Sequence, residues 1–114
     1  MDANSLGLMI GELFNLTRNC RAAIYTYNKY GYATSNTRTF LRNAEMCAGR
    51  AYRIGYRSST YQKGLLHIRD EIYRVAAELS ETGQLSEDTL KHIMPDLINR
   101  AKAEYSKAAS KLLP

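Results

Sequence analysis

Apolar residues return along this chain at three- and four-residue steps in four separate segments, and no segment alternates with the period of two that a strand requires. In the first segment Leu6, Met9, Ile10, Leu13, Leu16, Thr17, Cys20, Ala23, Ile24 and Tyr27 form one stripe of an amphipathic helix. KYGYATSNT then interrupts the pattern with Gly31 and small polar residues, and Ser35, Asn36 or Thr37 is the expected N-cap of a second helix. On that helix Phe40, Leu41, Ala44, Cys47, Ala48, Ala51, Ile54 and Gly55 share one side. Small residues dominate that side, so a neighbouring helix can approach closely.

RSSTYQ is a short break in which Ser58, Ser59 or Thr60 is the expected cap. A third helix follows, with Tyr61, Leu65, Ile68, Ile72, Val75, Ala76 and Leu79 on its inner face. Leu66, Tyr73 and Ala77 lie off that face as a second ridge, which reads either as a subunit contact or as deeper burial of this helix. ETGQLSEDT supplies Gly83 as a C-cap, Ser86 as an N-cap, and acids for the first turn of a fourth helix. That helix is expected to bury Leu90, Ile93, Met94, Leu97, Ile98, Ala101, Tyr105, Ala108 and Leu112, to kink or break at Pro95, and to fray over KAASKLLP. The fold class is therefore all-α, a single domain over residues 1–114 built as an antiparallel four-helix bundle. A second arrangement stays open, in which the second and third helices run on as one and another chain completes the bundle.

Charge changes the picture at one place. Residues 38 to 74 carry eight Arg or Lys against three Asp or Glu, whereas the last forty residues are close to neutral. At about 100° per residue, Arg38, Arg42, Arg50, Arg53 and Arg57 fall within an arc of about 120°, opposite the small-residue face. Tyr52 and Tyr56 flank that stripe, Tyr30 and Tyr32 precede it and Tyr61 follows. Arginine binds phosphate bidentately and stacks, and aromatic planes take unpaired bases. Arg38, Arg42, Arg50, Arg53, Arg57, Tyr52 and Tyr56 are thus the candidate nucleic-acid-binding residues. A solvated basic face, or a surface for an acidic protein partner, is the competing reading of the same residues.

The sequence holds no Gly-rich phosphate loop, no GxSxG elbow, no HExxH and no CxxC. Cys20 and Cys47 fall on apolar faces and read as buried thiols, and His67 and His92 have no ligand partner. No catalytic residue, metal site or cofactor is expected, and the chain reads as a non-enzyme. No apolar run approaches the ~20 residues of a membrane span, and MDANSLGLMIGELF lacks a basic n-region. No membrane partner and a cytoplasmic location are the expectation.

The stretch FLRNAEMCAGRAYRIGYRSSTYQKGLLHI resembles the middle of a family of small four-helix bundles. That family includes the proteins encoded in intervening sequences of large-subunit ribosomal RNA genes and the accessory variability protein of diversity-generating retroelements. The resemblance rests on Leu41, Arg42 and Ala44, where relatives read LRRA, on Gly55, Tyr56 and Arg57, and on Tyr61, Leu65 and Leu66. GQLSEDTLKHIMPDLINRAKAEY is similar to the family's last turn and helix. The resemblance implies a homo-oligomeric ring, a pentamer, that acts as a non-catalytic partner of a reverse transcriptase and binds its RNA. Leu66, Tyr73 and Ala77 would then be subunit contacts. The alternative function is a small protein-interaction module, an inhibitor or adaptor, using the Arg and Tyr residues as its hot spot.

Overall fold

The computed structural model describes residues 1–113 and is helical wherever it is regular. Helix α1 spans Ala3–Tyr30, α2 Ser35–Gly55, α3 Gln62–Thr82 and α4 Met94–Leu112, the last entered through a π-helical turn at Thr89–Ile93. Short connections make successive helices antiparallel, and α1 and α3 each pack on both α2 and α4. The bundle measures 45 × 22 × 21 Å. Its long axis is set by α1, which at about 1.5 Å per residue is about 42 Å long. A turn separates α2 from α3, so one chain completes its own bundle.

The core is the one the periodicity predicts through the first three helices. Leu6, Met9, Leu13, Leu16 and Cys20 of α1 meet Leu41, Ala44, Cys47 and Ala51 of α2 and Leu65, Ile68, Ile72 and Val75 of α3. Both thiols are buried and unpaired. The small residues of α2 serve close packing: a Cβ on Gly55 would drive into the side chain of Leu65 and touch Met9 Sδ at 3.0 Å.

Two expectations are corrected at the helix ends. Thr34, one residue earlier than Ser35, caps α2, because it forms a reciprocal box with Thr37 (Thr37 N–H to Thr34 Oγ1, 3.2 Å; Thr34 N–H to Thr37 Oγ1, 3.3 Å). Thr37 is fully buried and also bonds the Thr26 hydroxyl at 2.9 Å, so it serves as the inner anchor of the turn. At the start of α3 neither Ser58, Ser59 nor Thr60 caps with its side chain. The Ser58 carbonyl instead accepts the N–H groups of Tyr61 and Gln62. The stretch 107–112, expected to fray, runs as helix to Leu112, while Pro114 lies outside the described residues.

Pro95 neither breaks the helix nor ends it. A proline cannot donate to the carbonyl four residues back, and its ring crowds that carbonyl. The chain answers by widening the preceding turn, and the Met94 N–H reaches the Thr89 carbonyl five residues back. Beyond the widened turn the expected stripe holds at Leu97, Ile98, Ala101 and Ala108, which are buried. Tyr105 and Leu112, expected inside, are exposed, and Glu104 is buried in their place against Gly64 of α3. Upstream, Glu78 of α3 braces this entry by accepting from the Ser86 N–H and, at 2.6 Å, from the Thr89 hydroxyl. Ser86 caps as expected, its hydroxyl accepting the Thr89 N–H at 3.1 Å.

Candidate nucleic-acid interface

Arg38, Arg42, Arg50 and Arg53 run along the outer face of α2, whereas Arg57, expected on the same helix, lies in the turn beyond its last residue Gly55, and the tertiary structure divides the set further. Arg38, Arg42, Arg53 and Arg57 are exposed and form no ion pair among the described residues. Arg50 is half-buried and turns toward α1, where its Nε donates to Glu12 Oε2 at 2.5 Å. It is a strut between α1 and α2, and the cationic face is carried by the other four.

Arg53 stands on the crest between two grooves, one shared with Gly7, Leu8 and Gly11 of α1 and one shared with Arg69 and Tyr73 of α3. Arg57 donates from Nε to the Tyr56 hydroxyl at 2.8 Å, and its guanidinium lies 5.3 Å from the Tyr56 ring centroid. The Tyr52 and Tyr56 rings are 5.9 Å apart and tilted by 37°. Tyr52 is half-buried and Tyr56 exposed.

Arg69 of α3 belongs to this surface, and the sequence reading passed over it. Its guanidinium lies 4.4 Å from the Tyr52 centroid and 5.7 Å from that of Tyr73. A terminal nitrogen contacts Asp70 at 3.4 Å, while Nε is buried without a partner. The Arg69–Tyr73 spacing of one helical turn is the local signal that pointed to it. Its stacking on Tyr52 crosses between helices and has no signature in either segment.

Tyr73, read from the sequence as part of a ridge with Leu66 and Ala77, lies nearer α2 than that ridge implies. Its hydroxyl fits over Gly49, where an added Cβ would stand 3.3 Å away. Leu66 is half-buried and Ala77 exposed. Glu45, the acid inside the stripe, is half-buried beside Tyr73. Burial pushes its carboxyl above the ordinary value, and the nearby Arg42 charge offsets part of that rise.

These elements define a helical bundle with one basic, tyrosine-lined face. No protein-family model matches the chain, nor does any curated protein or solved structure. Among the described residues no helix is long and apolar enough to cross a membrane.

Proposed function

We propose that the outer face of α2, with the adjoining edge of α3, binds nucleic acid, RNA in preference, as a non-enzymatic accessory surface in a ribonucleoprotein. The observation that carries this reading is that Arg38, Arg42, Arg53 and Arg57 stay exposed without a carboxylate partner among the described residues, beside Tyr52, Tyr56 and Arg69. A cation left unpaired on one face lowers its energy by neutralising phosphate and releasing counterions. The resemblance of residues 38–108 to the intervening-sequence and accessory variability proteins supports RNA as the ligand and a reverse transcriptase as protein partner. A homo-oligomeric ring of such bundles, a pentamer, with Leu66 and Ala77 near its contacts, repeats the face and multiplies its charge.

The test is fluorescence anisotropy of a labelled RNA at low and moderate salt. The native chain is compared with an Arg38→Glu, Arg42→Glu, Arg53→Glu, Arg57→Glu variant whose fold is checked by circular dichroism. Binding that falls linearly on a log–log salt plot and is abolished in the variant supports the reading. Equal behaviour of the two chains sinks it. Native mass tests the ring separately, and a monomer at working concentration removes that part.

A second reading has its own observation. Met46, 50% exposed on α2, and the exposed Tyr56 just past its end stand with the free arginines, and Arg with exposed aromatic and Met side chains is the composition of a protein-binding hot spot. A partner of that kind binds with weak salt dependence, and RNA does not displace it.

A further inference from the structure

The groove between α2 and α3 has two basic ends joined at a waist. One end, about 500 Å³, is bounded by Arg38, Arg42 and Ser80. The other, about 410 Å³, is bounded by Gly49, Arg53 and Arg69. Glu45 and Tyr73 line both and form the waist. Along α2, at about 1.5 Å per residue, Arg42 and Arg53 stand about 17 Å apart, so the two ends cannot serve one phosphate.

The waist decides what kind of nucleic acid fits. Tyr73 is 46% exposed, and the Arg69 guanidinium lies 5.7 Å from its ring centroid. An exposed ring beside a cation is a stacking platform for an unpaired base. Glu45 repels a phosphate at that point, but its carboxylate accepts N–H groups from a base edge. Phosphates therefore belong at the ends and a base at the waist. A duplex laid along the same face reaches the arginines with its backbone, yet its bases are paired and stacked inside and bring no free plane to Tyr73.

We propose that the α2–α3 groove selects single-stranded RNA, holding phosphates at Arg38 and Arg42 and at Arg53 and Arg69, with one base stacked on Tyr73 and its hydrogen-bonding edge toward Glu45. This rests on the nucleic-acid reading of the arginine face and adds the form of the ligand and the residue that discriminates it.

The experiment titrates the native chain against a short labelled RNA without self-complementarity and against the same RNA annealed to its complement. It repeats both titrations with Tyr73→Phe and Tyr73→Ser. The native chain is expected to prefer the single strand by roughly tenfold, the typical effect of one base–aromatic stack. Tyr73→Phe keeps that preference, and Tyr73→Ser loses it while duplex affinity stays unchanged. Equal affinity of the native chain for both RNAs overturns the groove assignment without any variant, and leaves the arginine-face reading intact. A Tyr73→Ser chain that keeps the preference, or that changes native mass and not RNA affinity, overturns it too and makes Tyr73 a subunit contact. Failure of the native chain to bind either RNA sinks both proposals together.

Discussion

The guanidinium of Arg69 lies 4.4 Å from the centre of the Tyr52 ring, which stacks a cation of α3 on an aromatic plane of α2. The contact joins the two helices that wall the groove and occupies one face of Tyr52. Of the tyrosines on this surface, Tyr56 and Tyr73 are the more exposed.

That stack is measurable by a double-mutant cycle. Arg69→Ala, Tyr52→Leu and the combined variant are expected to show a coupling of about 0.5–1 kcal/mol in urea unfolding, the range for a partly exposed cation–π pair. Strict additivity of the two changes would mean that the stacking contributes nothing.

Arg50 and Arg53, three residues apart on one helix, are expected to behave oppositely. Arg50→Ala removes the bond to Glu12 and costs stability, about 0.5–1 kcal/mol after allowing for the partial exposure of the pair, with little effect on RNA binding. Arg53→Ala leaves the melting curve in place and lowers the slope of log affinity against log salt by about one. Thermal melts and salt titrations of both variants check the pair. Identical slopes in the two variants would contradict the division of the stripe.

Glycine replacements separate packing from propensity. Gly55→Ala forces a methyl onto Leu65 and Met9 and is expected to destabilise by about 1–3 kcal/mol. Gly11→Ala, with nothing within 4 Å of its new carbon, is expected to stabilise by about 0.5–1 kcal/mol. Chemical denaturation of both variants is enough. A loss of stability at Gly11 would reveal that its open side is covered in the native assembly.

Glu78 should make the α3–α4 corner sensitive to acid. Burial raises its carboxyl, but hydrogen bonds from Thr89 and Ser86 outweigh that and hold it below the ordinary value of 4.5. A carboxyl with a depressed folded value stabilises fully above its unfolded value and loses that contribution as pH falls through the folded one. Stability is therefore expected to drop below about pH 4.5, and Glu78→Gln to flatten that part of the profile at a cost near neutrality of up to about 1 kcal/mol. Parallel pH dependence in both chains would assign the acid loss elsewhere.

The two thiols are expected to be inert in the folded chain. Burial, with Cys47 adding, pushes Cys20 up to about 12, and burial also raises Cys47 against the opposing Arg50 charge. Ellman's reagent at neutral pH should label neither thiol natively and both in denaturant. Rapid native labelling of Cys47 would show that the α1–α2 seam opens.

Legibility differed among the helices for physical reasons. The stripes of α1, α2 and α3 were readable because burial of an amphipathic face repeats with helical period, and that period holds where the backbone keeps i to i+4 bonds. In α4 Leu97, Ile98, Ala101 and Ala108 are buried as the period predicts, while Tyr105 lies on the margin of that stripe and Leu112 at the helix end, and both are exposed. Glu104 could enter the core because Gly64 on another helix has no side chain, a fact invisible from the α4 pattern. Thr34 outcompeted Ser35 as the cap because Thr37 is anchored by Thr26 across the turn.

The amino-acid sequence by itself determined that this chain makes helices, which face of each is apolar, and that Arg38, Arg42, Arg50 and Arg53 share one arc of the second. Those are local properties, settled within one or two turns. Only the tertiary structure decided that Arg50 is spent on Glu12, that Arg69 joins the surface by stacking on Tyr52, and that Tyr73 and Glu45 form the waist of a groove. Each of these depends on how one helix is rotated against its neighbour. That rotation is set by packing of the whole core, here by the close approach at Gly55 and Gly64, and no single segment encodes it.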